Sequence, residues 1–186
     1  MYINKSLKEY LDDLTARLPA PGGGSAAALT AGLGAALIGM VINFTLGKPR
    51  YAKYQAQLSQ ALSRSEKIRK RLQQLIDLDV AAFKSKNLNK ALAVPLQVSR
   101  LCWQAINLCP ALVKKGNPNL ISDVAVAAIL LEAGFSSALF NVRINLKYLK
   151  NKARADKIER ELNKKTKALL KIRKDLEARV YEIIRG

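Results

Sequence analysis

A chain without a single histidine has to run any proton chemistry on Asp, Glu, Lys or Tyr, because the commonest general base at neutral pH is missing. Asp77 and Asp79 stand out as the only acids between Glu66 and Asp123, in a stretch otherwise apolar and basic. Two positions apart on a helix, they point about 200° from one another and are not expected to share a site. A carboxyl held against apolar walls has its pKa raised toward neutrality and can then both give and take protons at pH 7. The same residue in the same surroundings can instead be half of a buried ion pair.

Gly22, Gly23, Gly24 and Ser25 sit just ahead of a run with helical character, where free backbone N–H groups can bind a carboxylate or a polar ring. Their spacing is that of neither a P-loop nor a dinucleotide fingerprint, which disfavours nucleotide phosphate; the bland alternative is a turn between helices. Asn117, Asn119, Ser122 and Asp123 read first as a turn and a cap. Asn141 and Asn145, one helical turn apart in an apolar stretch, should find hydrogen-bond partners across an interface. Cys102 and Cys109 are seven apart, two turns along one helix face, and cannot bridge each other there. With two cysteines and no histidine, no metal site is expected.

The elements that must position these groups are helices. Val and Thr are sparse while Ala, Leu, Lys and Gln abound, so the fold class is all-α: one domain over 1–186, a bundle of about five to six helices. Ser6 with Glu9 forms a capping box for a helix over 7–17, stopped by Pro19, Pro21 and the glycines. Ser25 is placed to cap the next helix. Residues 25–46 carry no charge, and their length allows a membrane span. Alanine and glycine dominate, however, and Ala28, Gly32, Ala36 and Gly39 form a small-residue stripe, so this run is read as the buried central helix.

Pro49 suits the first turn of a third helix running to Asn87, with Arg64, Lys67, Arg69, Lys70 and Arg71 on its outer face. Pro95 suits the start of a fourth, kinked at Pro110 and ended by GNPN at 116–119; Ser122 would cap a fifth through Lys150. The last segment, 154–184, has a narrow apolar seam between charges and is read as a long charged C-terminal helix.

The net charge of +18 is uneven: residues 1–47 sum to zero, 48–115 to +11, 116–146 to −1 and 147–186 to +8. Such faces are either simply solvated or attract an anionic ligand or a nucleic acid. No aromatic residues are suitably placed for base stacking, so nucleic-acid binding is expected to be weak and non-specific. The start of the chain has no signal-like pattern, and a cytoplasmic protein with reduced thiols and no membrane partner is expected.

Six segments in order, LPAPGGGSAAAL at 18–29, LGK at 46–48, DLDVAAF at 77–83, VPL at 94–96, GNPNLISD at 116–123 and FNVRINL at 140–146, resemble the formimidoyltetrahydrofolate cyclodeaminase and methenyltetrahydrofolate cyclohydrolase family. The resemblance implies an all-helical homodimer acting on a one-carbon unit of a tetrahydrofolate derivative, with no permanently bound cofactor. Asp79, beside VAAF, matches the family's catalytic aspartate most closely, and Asp77 is a helper or a solvated residue. Lys48 matches the family's Gly-Lys, which gives it a part in steering the anionic folate tail or holding the catalytic carboxylate charged. Gly22, Gly23, Gly24, Ser25, Asn117, Ser122 and Asp123 are the implied substrate-binding or dimer-seam residues. With no transferase segment ahead of it, ring hydrolysis is expected before deamination.

One departure bears on this. Between DLDVAAF and VPL the chain has only KSKNLNKALA, residues 84–93, where the family's pattern has about two dozen more residues, an unusual loss for a connection beside a site. A scaffold that kept the fold and lost turnover, and a basic nucleic-acid binder, are the rival readings.

Overall fold

The computed structural model covers residues 1–186 and contains seven α-helices, three short 3-10 turns and no strand. The helices are α1 Leu7–Thr15, α2 Gly23–Asn43, α3 Gln55–Lys84, α4 Leu88–Ile106, α5 Cys109–Lys115, α6 Ile121–Lys147 and α7 Lys152–Arg185. The capping box forms as expected: Ser6 Oγ accepts from the Glu9 N–H and the Glu9 carboxylate from the Ser6 N–H.

α2 is the core helix. Ala28, Ala31, Ala35, Ile38, Val41 and Ile42 are fully buried between α3 on one side and α6 on another. A methyl group on Gly34 would come 2.8 Å from Leu131 Cγ, and one on Gly134 2.9 Å from Ala31 Cβ, so these two glycines allow α2 and α6 to close on each other. The pair runs antiparallel: Gly23 lies by Asn141, Gly134 by Ala31, and Gly116 by Val41. The tight seam is therefore not the expected stripe. Gly32 and Gly39 face α3 at ordinary distances and Ala36 is exposed.

α3 and α4 pack over one side of the α2–α6 layer, and α7 lies along α6, α4 and α5. Two ion pairs pin α7, Arg100–Glu161 at 2.7 Å and Arg143–Glu159 at 2.8 Å, while its seam buries Ile158, Leu162, Leu169, Leu176 and Val180. α2 and the stretch 118–147 are each long and apolar enough to cross a membrane, but 61% of the α2 span is buried in the bundle.

Several boundaries differ from the sequence expectation. α2 begins at Gly23 with Gly22 as its cap, because the Ser25 side chain is used elsewhere. The third helix starts at Gln55 after a 3-10 turn over Pro49–Tyr54. α4 begins at Leu88, where the Asn87 side chain accepts from the Lys90 N–H at 3.1 Å, and it carries Pro95 inside it. Pro110 opens the separate α5 instead of kinking α4. α6 begins at Ile121 without a side-chain cap, so Ser122 lies in its first turn.

Candidate functional site

The start of α2, the end of α3, the start of α4 and the end of α6 meet at one end of the bundle around a cavity of about 330 Å³. Asp79 projects into it from α3, facing Gly22, Gly23 and Gly24, with Ala82, Phe83, Pro95, Asn141 and Asn145 among the other walls. Burial raises the Asp79 pKa, opposed by a hydrogen bond from the Ser25 backbone N–H. The carboxylate thus caps the otherwise uncapped start of α2. It forms no ion pair with any lysine or arginine, so it is not half of a buried salt bridge.

Gly24 makes this approach possible, since a methyl group there would overlap the Asp79 carboxylate. Behind it, the buried hydroxyl of Tyr10 donates to the Oγ of the buried Ser25 at 3.2 Å, which fixes α1 to the residue whose N–H holds Asp79. Burial raises the Tyr10 pKa. Pro95 shapes the opposite wall. A proline inside a helix leaves the carbonyl four residues earlier without its donor, and here Asn145 Nδ2 donates to that Ala91 carbonyl at 3.1 Å. Asn141, whose Nδ2 donates to the Ser137 carbonyl, lines the cavity one turn before.

The other residues selected from the sequence lie elsewhere. Asp77 accepts from the backbone N–H of Tyr2 at 2.5 Å and of Ile3 at 3.3 Å, which anchors the N-terminal turn outside the cavity. Lys48 is exposed just ahead of the 3-10 turn that follows α2, at the far end of a helix about 30 Å long. Asn117 is at that far end too: its N–H donates to Thr45 Oγ and its side chain accepts from the Asn119 N–H. Ser122 and Asp123 stand in the adjoining first turn of α6. The structure brings together Gly22–Ser25 and Asp79, and separates them from Lys48, Asn117, Ser122 and Asp123.

Sequence reasoning missed Tyr10, Phe83, Pro95 and Ile144 as parts of the site and read Asn141 and Asn145 as structural only. A proline within a helical stretch was the usable signal, since the orphaned carbonyl demands a donor. Nothing in the spacing of Tyr10 tied it to Ser25. Cys102 and Cys109 are free and fully buried, and burial pushes the Cys109 thiol up to about 12, which makes both poor nucleophiles.

Comparison with known proteins bears on this cavity. A family model described as Formiminotransferase-cyclodeaminase matches residues 6–86 and 84–164. A methenyltetrahydrofolate cyclohydrolase of Methylorubrum extorquens is 37% identical over 206 positions, covering 98% of this chain and 97% of its own. The formimidoyltransferase-cyclodeaminase of Rattus norvegicus is 32% identical over 78% of this chain, which spans only 31% of that longer relative. The crystal structure of formiminotetrahydrofolate cyclodeaminase from Thermotoga maritima superposes with a TM-score of 0.83 at 28% identity, covering 100% of this chain and 98% of that one. The family match breaks at 84–86, the turn between α3 and α4, and the 206 aligned positions exceed the 186 residues present. Both facts agree with a shortened connection there.

Proposed function

From the premise that the chain belongs to the formiminotransferase-cyclodeaminase family, we propose that it is a folate one-carbon enzyme that hydrolyses 5,10-methenyltetrahydrofolate, with Asp79 as its proton-transfer group. The observation that carries the reading is the placement of Asp79: a desolvated acid without a counter-ion, facing a cavity at the joint of four helices. The methenyl group is a cationic amidinium, and a carboxylate with no lysine or arginine among its cavity neighbours suits that charge. Water adds to the methenyl carbon and gives its proton to Asp79. The carbon–nitrogen bond then breaks as Asp79 returns the proton to the departing nitrogen and the hydroxyl of the adduct gives up its own proton to solvent, leaving a formyl group. A pKa raised by burial fits one carboxyl to both transfers.

Gly23 and Gly24 leave room for a flat ring at the start of α2, and the amides of Asn141 and Asn145 face it from α6. The identity and coverage of the Methylorubrum cyclohydrolase support hydrolysis over deamination. The apolar outer faces of α2 and α6 support a homodimer, and the basic outer faces of α3 and α7 support only salt-sensitive, sequence-blind attraction of polyanions. The test is the decay of methenyltetrahydrofolate absorbance with purified protein beside its Asp79→Asn variant. Turnover that falls by about 10²-fold to 10⁴-fold in the variant is expected; wild-type protein no faster than buffer sinks the reading.

A further inference from the structure

The one tryptophan of the chain stands in a groove well away from Asp79. α3 and α4 run antiparallel, so the first half of α3 lies beside the end of α4. Arg64, Lys67 and Ile68 from α3 and Trp103, Gln104 and Asn107 from the facing side border about 500 Å³ between the two helices, a volume within the range of small-molecule sites. Spacings of three and four residues place each set on one helix face. The groove is about 20 Å along α3 from Asp79 and shares no wall with the Asp79 cavity.

Two cations here are not used by the fold. Their neighbours on the same two helices are engaged: Arg69 donates to Glu66 and Gln73, Arg71 to Gln74 and Gln97, and Arg100 to Glu161. Arg64 and Lys67 form no ion pair. No acid lines the groove, and α4 and α5 contain none. Glu66 is turned the other way, with its Oε1 3.4 Å from where a methyl group on Gly39 of α2 would stand. Trp103 packs on the core with one side and walls the groove with another. No cation covers its ring, since the cation–π contacts are all made to tyrosines. Its indole N–H has no partner and is not sealed in, because the sole buried side-chain polar atom without one is Arg173 Nε. Asn107 Nδ2 donates to the Trp103 carbonyl at 2.6 Å, which leaves the Asn107 side-chain oxygen and the whole Gln104 amide free to meet a ligand.

We propose that this groove is a binding site for a planar heteroaromatic anion the size of a mononucleotide: its ring stacks on Trp103, Arg64 and Lys67 hold its anionic group, and Gln104 and Asn107 meet its ring edge. A guanidinium and an ammonium three residues apart on one face take an anion from the same side. An indole offers a stacking surface to any flat heterocycle, and two amides that both donate and accept suit an edge that does the same. The sequence expectation that no aromatic residue stands where it can stack fails at Trp103, because only the packing of α3 on α4 brings it to Arg64. A nucleoside monophosphate and a folate, with its pteridine ring and carboxylates, share this chemistry. The site stands whether or not Asp79 hydrolyses methenyltetrahydrofolate.

Because Trp103 is the one tryptophan, its fluorescence reports on this groove. The purified protein is titrated with guanosine monophosphate and, separately, with 5-formyltetrahydrofolate, with calorimetry alongside, at about 0.15 M ionic strength, where loose attraction of anions is screened. At least one of the two should quench saturably with a dissociation constant of about 100 μM or below, and the tighter of them names the source. Guanosine and inorganic phosphate, each carrying half of the recognised chemistry, should bind at least about tenfold more weakly than the nucleotide. Arg64→Gln combined with Lys67→Gln should weaken the ligand by about the same factor and leave the melting temperature unchanged, since both side chains are exposed and unpaired. Trp103→Leu should lose the heat of binding, and the paired glutamine variant decides the matter where that change unsettles α4. No saturable quench by either ligand, or one that the paired variant leaves intact, overturns the site. So does a single-stranded oligonucleotide bound more than about a hundredfold tighter than its mononucleotide, which would make the groove part of a strand-binding track.

Discussion

Asn145 donates its side-chain amide to the Ala91 carbonyl that Pro95 leaves without a helical donor. The proline loosens α4 at the cavity wall and α6 makes good the loss, so the two features work only together. Asn145→Ala should therefore destabilise the protein by about 1–3 kcal/mol, the usual cost of stranding a poorly solvated carbonyl. In a Pro95→Ala background the backbone N–H of residue 95 is restored and the same substitution should cost less. Denaturant melts of the four proteins in this cycle check it, and equal costs in both backgrounds would show that the hydrogen bond does not compensate for the proline.

This pairing marks how far the sequence could be read. The helical class, the capping box at Ser6 and Glu9 and the core role of α2 follow from composition and periodicity, which are local. The close approach expected along the stripe through Gly32 falls on the Gly34 side instead, because the two glycines differ by half a turn and only the three-dimensional packing tells which one a neighbour approaches. Ser25 looked like a cap, but Tyr10 takes its hydroxyl and Asp79 its backbone N–H, contacts between elements that spacing along the chain cannot encode. The Gly-rich turn and Asp79 were legible as one site through motif order; Lys48, Asn117, Ser122 and Asp123 were legible as motifs, but their place at the opposite end of the bundle was not.

Asp79→Asn should trade activity for stability. Burial raises the folded-state pKa of Asp79 above its ordinary value of 3.8, so the unfolded chain releases this proton first as pH rises. Stability is then lost from about the unfolded pKa up through the folded one. An amide avoids that loss and can still accept from the Ser25 N–H, so the variant should melt higher than wild type at pH 7, with the difference closing in acid. Thermal melts from pH 3 to pH 8 test this; a variant less stable at pH 7 would mean that the charged carboxylate is a net stabilising cap. Asp77→Asn is the control, expected to loosen the Tyr2–Ile3 turn while leaving turnover intact.

Glu161 gives a pH dependence of opposite sign. Hydrogen bonds from Arg100 and Lys165 hold its pKa down at about 2 against an ordinary 4.5, so the stability it lends is present above pH 4.5 and lost as pH falls toward 2. The site is largely exposed, and solvent screening limits the contribution to about 1 kcal/mol or less. Glu161→Gln should show a flatter decline in melting temperature across that window than wild type, and the difference should shrink in high salt. Identical acid profiles for the two proteins would remove Glu161 from the forces that hold α7 on α4.

Gly24→Ala is the sharpest probe of the cavity. The added methyl group would overlap the Asp79 carboxylate, and helical propensity alone would make alanine the better residue there by about 1 kcal/mol. If the start of α2 were only a turn, the substitution would be neutral or stabilising. Because the acid is pressed against this glycine, its side chain must rotate away or α2 must retreat, and overpacking of this kind costs about 1–3 kcal/mol. A carboxyl displaced by even an ångström leaves its reacting position, so turnover should fall by about 10²-fold. Gly22→Ala, where a methyl group meets nothing within 4 Å, should change neither property to that extent. Equal behaviour of the two variants in melts and in the absorbance assay would mean that Asp79 does not need its place against α2.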